Sequence, residues 1–161
     1  MQGRSGTGLK LAEALQERAD LNRKIEELRR RLDHALLVQE GEEPPENPVE
    51  LLKELEEAIA RLEYLMAAIN MTNCKTRVNG MTLTEIIARK DTQLLRVSAY
   101  RDLVYSSGGS TERARGTEIK VKALMKASEL QKIVDQAAKE ARRLDNLLQE
   151  TNWKTKLIEK P

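Results

Sequence analysis

The chain has 161 residues, enough for one domain, with 34% charged and 40% hydrophobic residues and a net charge of +2. That balance excludes a disordered tail, and the near-neutral total argues against a nucleic-acid binder. With no Phe, one Trp and three Tyr, the core must be built from Leu, Ile, Val, Ala and Met, which suits narrow helix-to-helix seams better than a thick interior.

No apolar run approaches the roughly 20 residues that span a bilayer, and no secretory segment stands at the start. Cys74 is the single cysteine, so an intramolecular disulfide is excluded, and a reducing, cytoplasmic location is expected. Charge is uneven. Residues 40–63 carry nine acids against Lys53 and Arg61, whereas residues 64–161 carry eighteen bases against eleven acids. The two regions can attract one another, within a chain or between chains.

Residues 1–8 have no apolar period and read as a flexible leader foreign to the fold. The glycines there do not make a phosphate loop, because Lys10 stands one place late and no Ser or Thr follows it. Leu11, Ala14, Arg18, Leu21, Ile25, Leu28, Leu32 and Ala35 then alternate spacings of three and four, which predicts a helix over about 9–38 with a heptad seam. Arg18 is the odd member; its stem can pack while its guanidinium reaches a carboxylate. The segment 40–48 contains Pro44 and Pro45 and is a corner. Its acids Glu40, Glu42, Glu43 and Glu46 fit a solvated turn better than a metal site.

Asn47 followed by Pro48 predicts the start of a second helix, to about Asn70, with a seam of Leu52, Leu55, Ile59, Leu62, Met66 and Ile69. Residues 9–70 thus read as a long antiparallel helical hairpin. Residues 71–83 read as a turn and β-ribbon around Asn79-Gly80, a strong hairpin signal. A third helix over 84–105 is capped by Thr84, with a stripe of Ile87, Leu94, Val97 and Val104 interrupted by Lys90 and Arg101. Residues 106–116 read as a flexible loop, and 117–122 as a strand from their alternation. A fourth helix over 128–150, capped by Ser128 and Gln131, has a seam of Leu130, Val134, Ala137, Ala141, Leu144 and Leu148. Trp153 reads as a packed anchor for the tail. The fold class is mainly α: the hairpin plus two further helices, four in all, coiled-coil-like, with a minor β-ribbon, in a single domain over 9–161.

Chemistry is sparse. No pair of ionisable groups has a catalytic spacing, so the expectation is no catalytic, cofactor-binding or metal-ligating residue and no cofactor. His34 reads as a partly exposed helix histidine, and Cys74 lies beside Lys75 without further activating signals. The polar cluster Asn70, Thr72, Asn73, Cys74, Thr76 and Arg77 is the one candidate ligand site, although its amides and hydroxyls also suit a helix exit. Arg113, Arg115, Lys120, Lys122 and Lys126 lack the interleaved aromatics of a nucleic-acid surface. No helix pairs a broad apolar face with a basic one, so no membrane contact is expected either.

The runs KLAEALQERADL from Lys10, VQEGEEP from Val38, INMTN from Ile69, TLTEIIARKD from Thr82, EIK from Glu118 and NWKT from Asn152 resemble the small bacterial family labelled septicolysin. The resemblance implies an undetermined function under a label borrowed from a pore-forming toxin. It also implies that residues 1–8 are foreign. Cholesterol-dependent cytolysins have a Trp-rich loop near a Cys, and no Trp stands near Cys74. The residues therefore imply a non-enzymatic cytoplasmic structural or protein-interaction protein with an unknown partner. A small-ligand protein or enzyme built on residues 70–77 is the alternative, and a membrane-active protein the weaker one. Self-association, as a dimer or larger symmetric assembly, is expected through Leu21, Ile25, Leu28 and Leu32, with Leu36 and Leu37 beside them.

Overall fold

A computed structural model describes residues 8–108 and 121–159. The fold is mainly α, as expected: α1 (Leu11–Ala35), α2 (Pro48–Lys75), α3 (Leu83–Gly108) and α4 (Ala127–Lys154), with β1 (Arg77–Val78) and β2 (Met81–Thr82) forming a two-stranded sheet. The chain divides into two compact units, one holding the residues up to Arg77 and those from Thr151 onward, the other Val78–Glu150. Among the described residues no helix is long and apolar enough to cross a membrane.

In the first unit α1 and α2 run antiparallel. Glu17 pairs with Arg61, Lys24 with Glu54 and Arg31 with Glu46, so each step of seven along α1 is matched by seven or eight in the reverse direction, along α2 and into the corner before it. Leu28, Leu32 and Ala35 pack against Leu51 and Leu55. The seam on α1 is the expected one, with Arg18 half-buried in it.

The seam on α2 differs from the expectation. Leu51, Ala58, Leu65, Ile69 and Thr72 are buried, with half-buried Leu55 and Leu62 between them. Leu52, Ile59 and Met66 instead stay 44%, 42% and 48% exposed. Two apolar rows lie one residue apart on this helix, and both have helical period. Glu54 and Arg61 stand three residues after Leu51 and Ala58, on the same edge, so only the observed phase brings them to the partners on α1. Ala58 also allows close approach of the two backbones.

The helix ends differ too. α1 is shorter than expected, because Leu36 is already its C-cap and Gly41, at φ 87°, turns the chain towards the prolines. Asn47 caps α2 as expected, its Oδ1 accepting the Val49 N–H at 3.0 Å. α2 continues to Lys75 rather than stopping near Asn70. The closing segment is held by backbone rather than by the indole: the Leu11 N–H donates to the Thr155 carbonyl at 2.9 Å and the Leu157 N–H to that of Leu9 at 2.7 Å. Leu157 is buried, whereas Trp153 is 58% exposed. The expected aromatic anchor is thus an aliphatic one, since Trp153 falls off the α4 stripe.

The second unit opens at the Asn79-Gly80 turn, where φ values of 50° and 83° are those of a tight hairpin that follows the strand twist. The cap of α3 is Thr82, not Thr84. The Thr82 hydroxyl accepts the Glu85 N–H at 3.2 Å while Glu85 accepts the Thr82 N–H at 2.6 Å, a reciprocal box that satisfies two otherwise orphaned donors. α3 runs on through Ser106 and Ser107, whose hydroxyls donate to the carbonyls of Asp102 and Val104.

α4 buries the expected six residues, Leu130, Val134, Ala137, Ala141, Leu144 and Leu148. It begins at Ala127, so Ser128 is inside the helix, and it continues to Lys154. The side of α3 turned inwards is Leu83, Ile86, Lys90, Gln93, Val97, Tyr100 and Val104, all buried or half-buried. Leu94 and Arg101 lie outside that row and are exposed. Val97, Val134 and Ala137 form the core with Tyr100, Val104 and Ala138. The expected loop at 109–116 and most of the expected strand 117–122 lie outside the described residues; Val121 and Lys122 have no strand pairing.

Candidate functional site

The polar cluster of residues 70–77 lies where α2 ends and β1 begins. Asn70, Asn73 and Cys74 ride on the last turns of α2, Thr76 is its C-cap and Arg77 begins β1. Thr72 is fully buried. Its hydroxyl donates to the Ala68 carbonyl at 2.7 Å and accepts the Ile158 N–H at 2.8 Å, so its polarity is consumed in fastening the tail. Asn70, Cys74 and Arg77 are exposed, and Asn73 and Thr76 half-buried.

The other candidates lie on separate elements. His34 is exposed in the last turn of α1. Glu46, from the acidic corner, is held by Arg31, whose Nε lies 3.0 Å from Glu46 Oε2. Among the described residues no group of three His, Cys, Asp or Glu is placed to hold a metal. Lys122 and Lys126 are exposed, while Arg113, Arg115 and Lys120 lie outside the described residues.

The proposed oligomer seam needs correction. Leu28 and Leu32 are covered within the chain by Leu51 and Leu55, while Leu21 and Ile25 are half-buried. In the first unit an apolar row is left on the outward side of α2, where Val49, Leu52, Ile59 and Met66 are exposed and Glu56 and Glu63 interleave with them. Leu36 and Leu37 are also exposed.

Two features escaped the sequence reading, both flanking the α3–α4 seam where Lys90 and Gln93 replace apolar residues and Ala137 and Ala141 replace large ones. On one side a cleft of about 510 Å³ is lined by Arg89, Gln93, Arg96, Lys132, Gln136 and Glu140. On the other a groove of about 490 Å³ has Leu94, Val97, Ala138 and Ala141 among Lys90, Arg101 and Arg142. Lys90 Nζ lies 3.4 Å from Asp145 Oδ1. The available signal was the pairing of polar stripe residues on α3 with alanines on α4: a polar and small layer leaves open space beside a helix pair.

The carboxylates with lowered pKa values are explained by neighbouring arginines. The Arg61 guanidinium hydrogen-bonds Glu17 and holds its carboxyl below the ordinary 4.5, and Arg31 and Arg143 do the same for Glu46 and Glu140. Tyr64 is raised above the ordinary 10.0, first by burial and then by the neighbouring Glu159 carboxylate. These are structural pairings rather than a poised acid and base.

Comparison with known proteins places residues 18–157 under a model described as a family of unknown function (DUF6847). A solved structure described as a functionally unknown conserved protein from Corynebacterium diphtheriae is 40% identical, with a TM-score of 0.86 over 94% of this chain and 100% of that one. No curated protein matches. Neither match carries a septicolysin or cytolysin description, so the septicolysin resemblance is corrected to membership of this family of unknown function.

Proposed function

We propose that this chain, which belongs to the family of unknown function DUF6847, is a non-enzymatic structural or protein-interaction protein that associates with itself. The observation that carries the reading is the outward row of α2. Val49, Leu52, Ile59 and Met66 are large apolar residues left exposed at helical spacing along one side of a helix whose opposite side is already seated on α1. A row of exposed large apolar residues interleaved with acids suits a helix-to-helix contact.

The titratable groups support the same reading, since the shifted carboxylates sit in ion pairs within the fold. A reducing compartment such as the cytoplasm suits the exposed thiol of Cys74. Sedimentation velocity of the full chain tests the proposal: a species heavier than 18.3 kDa at micromolar concentration is expected, and a lone 18.3 kDa species across the whole range would overturn it. A small molecule co-purifying in stoichiometric amount would overturn the non-enzymatic part.

A further inference from the structure

Resting on that self-association, we infer that the outward row of α2 in one copy docks into the groove beside Leu94, Val97, Ala138 and Ala141, between α3 and α4 of a second copy. Each surface supplies what the other lacks. Along α2 the order Leu52, Glu56, Ile59, Glu63, Met66 alternates apolar residues with acids, four and three residues apart, all exposed. Along α3 the row Lys90, Leu94, Val97, Arg101 has the same four-and-three spacing, with a base at each end of two apolar residues, and Arg142 adds a base from α4. The groove holds one acid, Asp145, already paired with Lys90.

A third helix laid in the trough between two antiparallel helices buries its knobs on their small residues, here Ala138 and Ala141. Leu52 and Ile59 are seven residues apart, about 10.5 Å of helix, and Leu94 and Arg101 are seven apart on the receiving side. With Ile59 over the apolar floor, Glu56 and Glu63 stand one turn to either side of it, facing a groove whose α3 wall carries Arg101 and whose α4 wall carries Arg142. Charges of opposite sign then meet in a partly desolvated rim.

The same charge pattern disfavours the obvious rival, α2 packed on α2 of another copy. Antiparallel pairing about Ile59 would set Glu56 of one copy beside Glu63 of the other, twice, and like charges across a contact oppose association. Two copies exchanging the α2-to-groove contact reciprocally would instead form a closed pair.

Charge reversal on the full chain tests this. Glu56→Lys/Glu63→Lys and Arg101→Glu/Arg142→Glu, each folded by circular dichroism, are expected to weaken self-association at least about tenfold, since like charges then face one another in each homotypic pair. An equimolar mixture of the two variants is expected to recover the heavier species, because acid meets base again at both exchanged contacts. Wild-type association unaffected by either reversal, or a mixture that stays monomeric, overturns this interface while leaving self-association intact. A wild-type chain that is monomeric throughout overturns the self-association reading itself, and this inference with it.

Discussion

The Thr72 hydroxyl accepts the backbone N–H of Ile158 at 2.8 Å, joining α2 to a residue 86 positions later in the chain. Because the same oxygen donates to the Ala68 carbonyl, both hydrogen-bonding capacities of a fully buried group are used. Thr72→Val keeps the shape and removes both bonds, leaving the Ile158 amide without its acceptor. The expected cost is about 1–3 kcal/mol, read from urea denaturation, with faster hydrogen exchange at Leu157 and Ile158. Unchanged exchange there would show that the latch does not hold the tail.

Leu28 and Ile59 separate the inner and outer apolar rows. Leu28 is 1% exposed inside the α1–α2 seam, so Leu28→Glu buries an unpaired carboxylate and is expected to unfold the first unit rather than dissociate an oligomer. Ile59→Gln, on the outward row, is expected to leave thermal stability within about 0.5 kcal/mol while weakening association. Circular dichroism melts and sedimentation of the two variants check the pair; a folded, merely dissociated Leu28→Glu chain would contradict the assignment.

The Glu17–Arg61 fork, with Nε to Oε1 at 2.7 Å and Nη2 to Oε2 at 3.0 Å, ties stability to pH. The Glu17 carboxyl is held below 4.5 in the folded chain, so folding favours the ionised form. Its contribution is fully present above the unfolded value and fades as pH falls through the lower folded one. The pair is part-exposed, so the gain is at most about 1 kcal/mol. Denaturation midpoints from pH 7 down to 3 are expected to fall less steeply for Glu17→Gln than for the parent chain.

Gly80 sits at φ 83°, in the left-handed region that costs a residue with a Cβ about 1–2 kcal/mol. Nothing lies within 4 Å of an added Cβ, so the strain is purely of the backbone. Gly80→Ala is therefore expected to lower stability by about that amount, and Gly80→Asn by less, since Asn tolerates this conformation. Thermal melts of both variants decide it, and equal stability for Ala and Asn would refute the cause.

Local pattern determined a good part of this molecule. The α4 seam from Leu130 to Leu148, the Asn79-Gly80 turn and the Asn47-Pro48 helix start all follow from interactions among residues within about one or two turns of one another. Four helices and a small ribbon are therefore legible without any knowledge of what packs on what. The candidate site was far less so. Period is a property of one helix, but phase belongs to a pair: Leu51 and Leu52 are equally apolar, and the phase that seats Leu51 beside Leu28 and Leu32 is also the one that brings Arg61 and Glu54 to Glu17 and Lys24 on α1. The last turns of α2 likewise have a distant partner, the tail amide of Ile158 on the Thr72 hydroxyl. Lys90 belongs to the α3 seam, although it reads as an interruption, because Asp145 on α4 supplies its charge partner. Each of these outcomes depends on groups tens of residues away, and it is these distant contacts that decide which surfaces remain for a partner.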